Sequence, residues 1–168
     1  MRLRPFAAAA LGACAAAPAA FAAEPTPLAT YKSWSVFTRE IDGDRICFAA
    51  TDASEKSPRS VNHGDVFFLV ATWKSGAAKN QPSFMAGYNL KDAPAPTIRV
   101  GSEKWDMYVD QNESFIEAAA KEQSLVSAMR RGSDMRVAAV SGRGTATSYR
   151  FSLQGISAAL DKVAEACK

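Results

Sequence analysis

Histidine, cysteine and catalytic serine motifs are scarce in this 168-residue chain, and each scarcity removes a class of function. There is one histidine, His63, so a multi-histidine metal site is impossible and any histidine-dependent triad rests on that residue. The three cysteines, Cys14, Cys47 and Cys167, include no Cys-x-x-Cys pair of the kind that tunes a redox-active dithiol. No serine sits in Gly-x-Ser-x-Gly, and Gly142-Arg143-Gly144 lies between strand-like segments rather than opening a phosphate-holding helix. Neither sign of charge dominates: 20 Lys and Arg stand against 17 Asp and Glu, for a net +3. Such a balance gives no electrostatic reason to expect nucleic acid or an anionic membrane as partner.

What is present begins with an export signal. Arg2 and Arg4 precede a run of Ala, Leu, Phe and Gly that ends in Ala20-Phe21-Ala22, small residues at alternate positions that suit a signal peptidase. Residues 1–22 are therefore read as a signal peptide. The apolar run between Arg4 and Pro18 is too short to span a bilayer, and the charged, proline-containing segment from Glu24 does not continue it. Leu11-Gly12-Ala13-Cys14 also resembles a lipoprotein box, a weaker reading because few residues separate Arg4 from Cys14. Cleavage after Ala22 leaves 146 residues, enough for one domain, and 18 basic against 17 acidic side chains, a net +1. Residues 23–33 read as a short extension and residues 34–168 as the single domain. The mature protein is expected in the periplasm or at the outer surface.

Two cysteines then remain in a compartment that permits disulfides, so Cys47 and Cys167 are expected to pair. Ile156, Ala159, Leu160, Val163 and Cys167 fall at helical spacing, which turns the last cysteine toward the core. Cys47 lies in Arg45-Ile46-Cys47-Phe48-Ala49, a strand-like run after the turn Asp42-Gly43-Asp44. In the chain-entropy model a bridge closing so long a loop stabilises by about 4–5 kcal/mol.

Between the cysteines the chain reads mainly as short strands. Trp34 and Val36, then Trp105, Met107 and Val109, alternate with polar neighbours, and Phe84, Ala86, Tyr88 and Leu90 alternate with Met85, Gly87 and Asn89. Val66 to Ala71 with Trp73 is apolar on both faces and fits a central strand. Val137–Ser141 and Ser148–Leu153 flank the Gly-Arg-Gly turn as a hairpin. Ser54–Asp65 and the two-proline segment Lys91–Pro96 read as surface loops, and Phe115–Arg131 and Ile156 to the C-terminus as helices. This order predicts a mainly β, antiparallel sandwich with two helices, one of them C-terminal.

The candidate sites are few. His63 with Asp65 is the one hydrolase pairing available, and a histidine in a polar glycine-containing loop is more often a loop residue. Asp42 with Asp44, or Asp106 with Asp110, are acids of turns and strand faces. Arg130, Arg131 and Arg136 read as a solvated helix end and the following turn. Among the aromatics Trp34, Trp73, Trp105 and Tyr108, alternation assigns most to the core and leaves Tyr108 as the best exposed binding candidate. Asn112-Glu113-Ser114 matches a glycosylation sequon, incidental in a chain with a bacterial type of signal.

Trp34, Cys47 thirteen residues later, the Gly-Arg-Gly turn, Tyr149-Arg150-Phe151-Ser152-Leu153-Gln154-Gly155, the helix Ile156-Ser157-Ala158-Ala159-Leu160 and Cys167 together resemble the invasion-associated locus B family. The resemblance spans Trp34 to Cys167 and is most specific around Phe-Ser-Leu-x-Gly. It implies an exported alphaproteobacterial protein with an immunoglobulin-like sandwich; the family name comes from host-cell entry by a pathogen, and most members lie outside that setting. Many members carry an additional close cysteine pair in the region that here runs from Val109 to Ala120, and this sequence has none there. The expected function is that of a non-catalytic binding or interaction module of the cell envelope, with an envelope or host protein as partner, no cofactor and no metal. An inhibitor or accessory factor for an envelope enzyme, inserting the Ser54–Asp65 or Lys91–Pro96 loop, is the alternative. The sequence specifies no oligomeric state.

Overall fold

Apolar alternation resolves into twelve strands and two helices in the computed structural model, which describes residues 24–168. The expected signal, residues 1–22, and Cys14 lie outside the described residues. Numbered in chain order, the seven-stranded sheet runs β1 (Thr26–Tyr31), β2 (Trp34–Ile41), β3 (Asp44–Asp52), β5 (Phe67–Trp73), β6 (Gln81–Met85), β10 (Glu113–Phe115) and β9 (Tyr108–Asp110). The five-stranded sheet runs β4 (Glu55–Ser57), β12 (Ala146–Ser152), β11 (Asp134–Val140), β7 (Thr97–Val100) and β8 (Glu103–Asp106). Every strand pairing is antiparallel. The chain is therefore mainly β, with two antiparallel sheets in a sandwich-like arrangement.

The core sits where the inner faces meet. Trp34 is fully buried, and its indole N–H donates to the Ser152 carbonyl of the opposite sheet at 2.9 Å. Phe68 meets Phe151 with ring centroids 5.8 Å apart, and Phe84 meets Tyr149 at 5.4 Å. Each such side chain contributes about 1.5–3 kcal/mol through removal of apolar surface from water. The apolar run expected as a central strand is β5, fourth of seven in its sheet.

Two helices complete the core. In α1 (Ala119–Arg131), Leu125, Val126, Ala128 and Met129 are buried, and the helix touches β6 of one sheet and β7 and β8 of the other. In α2 (Ile156–Ala166), Ile156, Ala159, Leu160 and Val163 face inward over β1, β2, β3 and β5. Gly155, with φ of 96°, starts α2 against the Tyr31 carbonyl oxygen, which a Cβ at that position would overlap. Just past α2, Cys167 is disulfide-bonded to Cys47 of β3, with Cα atoms 5.8 Å apart across 120 residues of sequence. Arg130 of α1 reaches Asp161 of α2 at 3.1 Å.

Several boundaries differ from the sequence expectation, in each case because pairing with a distant strand overrides local pattern. The 23–33 extension supplies β1, an edge strand on β2. The Ser54–Asp65 loop is partly strand: β4 pairs with β12. Glu113–Phe115 lies between β6 and β9, so the first helix starts at Ala119 rather than Phe115. The run Trp105 to Asp110 is broken at Met107, whose N–H binds the Pro96 carbonyl, and its halves join different sheets. Arg136 belongs to β11 rather than to a turn.

Candidate functional site

The loops after β4, after β6 and between β11 and β12 meet at one end of the sandwich and enclose a groove of about 690 Å³. Its walls include Asn62, His63, Tyr88, Asn89, Arg143 and Thr147. The first loop is pinned by three contacts: Lys56 Nζ donates to the Gly64 carbonyl at 2.8 Å, Asn62 Oδ1 accepts from the Gly64 N–H at 2.9 Å, and His63 reaches back to Pro58. Gly64 and Gly87 let this loop lie directly on the next one. A Cβ at Gly87 would stand 2.6 Å from the His63 carbonyl oxygen and 2.8 Å from the Gly64 Cα.

At the floor runs a chain of hydrogen bonds. His63 is only 7% exposed; its Nε2 lies 2.8 Å from the Pro58 carbonyl and its Nδ1 2.8 Å from the Tyr149 hydroxyl. The Tyr149 hydroxyl is 2.6 Å from that of Tyr88, which is 2.8 Å from Thr147 Oγ1. A carbonyl only accepts, so Nε2 carries the proton, and in the neutral ring Nδ1 accepts from Tyr149. Tyr88 must then donate to Tyr149, and Thr147 to Tyr88. Burial is the first cause that pushes the Tyr149 hydroxyl pKa up from the ordinary tyrosine value.

The structure does not assemble His63 with Asp65 as a catalytic pair: both ring nitrogens are engaged by Tyr149 and Pro58. Nor do the acids converge. Asp106 of β8 pairs with Lys104 at 2.8 Å, which lowers its pKa through the hydrogen bond and the charge, while Asp110 lies on β9 in the other sheet. Asp44 accepts the Ser75 N–H at 3.1 Å. Among the described residues no three His, Cys, Asp or Glu side chains converge as metal ligands. Tyr108 is 47% exposed, its ring lies tilted beside Phe115 with centroids 5.7 Å apart, and it does not line the groove. Tyr88, Thr147, Asn62, Asn89 and Arg143 did not stand out in the sequence as a group, because three separate loops bring them together. The available signal was Tyr149 itself, within the strand expected over Ser148–Leu153, since a phenol that turns to the core requires a partner.

The family model described as "Invasion associated locus B (IalB) protein" matches residues 34–164. This chain belongs to the invasion-associated locus B family. The match takes in the groove, both helices apart from the last residues of α2, and Cys47, while edge strand β1 precedes it and Cys167 follows it. No curated protein and no solved structure gives a significant match.

Proposed function

We propose that this invasion-associated locus B family member is an exported, non-catalytic binding module of the bacterial cell envelope whose ligand seats in the loop-end groove. The observation that carries the reading is the division of labour among the groove's polar groups. His63, Tyr149 and Tyr88 satisfy one another at the floor, whereas Asn62, Asn89 and Arg143 at the walls keep hydrogen-bonding capacity for a guest. Arg143 is exposed and takes part in none of the ion pairs of the described residues. Export is supported by the Cys47–Cys167 disulfide, which needs an oxidising compartment, together with the N-terminal sequence pattern. No helix among the described residues is long and apolar enough to cross a membrane. A contribution to host-cell interaction rests on the family resemblance alone.

Capture from the native host's envelope tests the reading, with the wild-type chain and an Arg143→Glu/Asn89→Ala variant run side by side. A partner retained by the wild type and lost from the variant supports groove binding. A partner retained equally by both, or a substrate turnover that ends when His63 is replaced, overturns it. An inhibitory insert formed by Ser54–Asp65 is not favoured, since β4 is laddered onto β12 and His63 is anchored below the surface.

A further inference from the structure

The outer face of the seven-stranded sheet is apolar along its middle, and neither helix nor the second sheet lies on it. Strand alternation puts Trp34, Cys47, Ala49 and Phe68 inward, so the residues between them point outward. Two adjacent ladder rows run along the centre of that outer face: Phe37, Phe48 and Ala71 in one, Ser35, Ala50 and Leu69 in the next. Beyond the first row lie Arg39, Ile46 and Trp73, and beyond the second lie Asp52, Phe67 and Met85. Phe37 and Phe48 stack on each other at 5.4 Å, and none of these aromatic side chains belongs to the buried core cluster.

We infer that this face packs against the same face of a second copy of the chain, forming a two-fold sheet-on-sheet dimer. Three features select a second copy as the occupant. The first is size. Strands about 4.8 Å apart and residues rising about 3.4 Å give the face from β2 to β9 a plan of roughly 24 by 20 Å, so two copies bury on the order of 1,000 Å², the scale of a weak, reversible interface. The second is charge. Arg39 stands at one end of the face and Asp52 at the other, and a two-fold axis lying across the strands brings each Arg39 to the partner's acidic end. Arg39 Nε is the one buried side-chain nitrogen or oxygen without a hydrogen-bond partner among the described residues. The third is shape. The same axis lays the row of Phe37 and Phe48 over the partner's row of Ser35 and Ala50, and Leu69 over Ala71, large groups against small ones.

Sedimentation equilibrium of the mature chain from about 1 μM to 1 mM, the range of weak association constants, is the test. The expected result is a mass that rises from one chain to two with concentration. Phe48→Glu, with unchanged circular dichroism, is expected to abolish the rise. Arg39→Glu is expected to weaken dimerisation by about tenfold or more through like-charge repulsion, and Arg39→Glu/Asp52→Arg to restore it. A wild-type chain that stays monomeric throughout overturns the inference, as does a dimer that Phe48→Glu leaves intact or a double variant that shows no recovery. Binding of the monomer through this face to lipid vesicles instead of to itself likewise assigns the face to another occupant. The groove variant Arg143→Glu/Asn89→Ala alters no residue of the rows, so a failure of one reading is distinguishable from a failure of the other.

Discussion

The hydroxyls of Tyr88 and Tyr149 meet at 2.6 Å, which fixes the loop after β6 to the middle of β12 and makes the floor of the groove part of the core. Tyr149 is 1% exposed and serves two partners, since it also holds His63 Nδ1. Tyr149→Phe leaves the buried His63 Nδ1 without its partner, while the partly buried Tyr88 hydroxyl keeps Thr147, and such an orphaned group costs about 1–3 kcal/mol. Tyr88→Phe leaves Tyr149 its bond to His63 and costs less, about 0.5–1.5 kcal/mol. Urea denaturation of both variants and the double variant checks the order, and the double variant is expected to lose less than the sum because the two hydroxyls are coupled.

Reduction separates the staple from the rest of the fold. The Cys47–Cys167 bond closes a loop of 120 residues and tethers α2 to β3. Cys47→Ala/Cys167→Ala is expected to lose about 2–5 kcal/mol, chiefly because the unfolded chain gains freedom. The wild type under a reducing agent should melt at a temperature close to that of the variant, whereas a melting temperature insensitive to reductant would mean that core packing alone holds the helix.

The two touching loops predict a local lesion. Gly87→Ala places a methyl group 2.6 Å from the His63 carbonyl oxygen and 2.8 Å from the Asp65 backbone nitrogen, so backbone must give way on one side. A loss of about 1–3 kcal/mol is expected, the range for overpacking. Hydrogen exchange should quicken around residues 61–65 and 86–90 while β2 and β3 stay protected. Uniform loss of protection across the domain would contradict a local effect.

The parts of this fold legible in the sequence are those written in short-range chemistry. The inward helical stripe from Ile156 to Val163, the Gly-Arg-Gly hairpin and the doubly apolar β5 each carry their period or turn residue within about ten positions. Pairing Cys47 with Cys167 needed only elimination once Cys14 was assigned to the signal. What escaped depends on partners far along the chain: Glu113–Phe115 has helix-like neighbours and becomes β10 because β6 and β9 flank it. Tyr88 continues the alternation begun at Phe84, yet the strand ends at Met85 and the ring turns toward Tyr149. The outer face followed the same logic. Phe37 follows the alternation of Trp34 and Val36, Phe48 lies in the apolar run Ile46–Ala50 of another strand, and only the register that makes them neighbours reveals an apolar surface.

Glu113 provides a titration that reports on β10, next to the β9 edge of that sheet. Its side chain is half-buried on the strand between β6 and β9, directly opposite Asp110 in the ladder. Burial first, and the negative charge of Asp110 second, raise its carboxyl pKa above the ordinary glutamate value. The folded chain therefore holds this proton at pH values where the unfolded chain has released it. Stability contributed by the protonated form is full below the unfolded pKa and declines as pH rises through the folded one. At concentrations that keep the chain monomeric, urea midpoints from roughly pH 4 to pH 7 should fall with rising pH at this site. Glu113→Gln removes the titrating group while keeping shape and hydrogen-bonding atoms, so its midpoint should lie above the wild type at neutral pH and converge with it at the acidic end. Asp110→Asn should give a smaller gain in the same direction, because it relieves the charge and leaves the burial. An unchanged pH profile in Glu113→Gln would show that the carboxylate is solvated well enough for neither cause to operate.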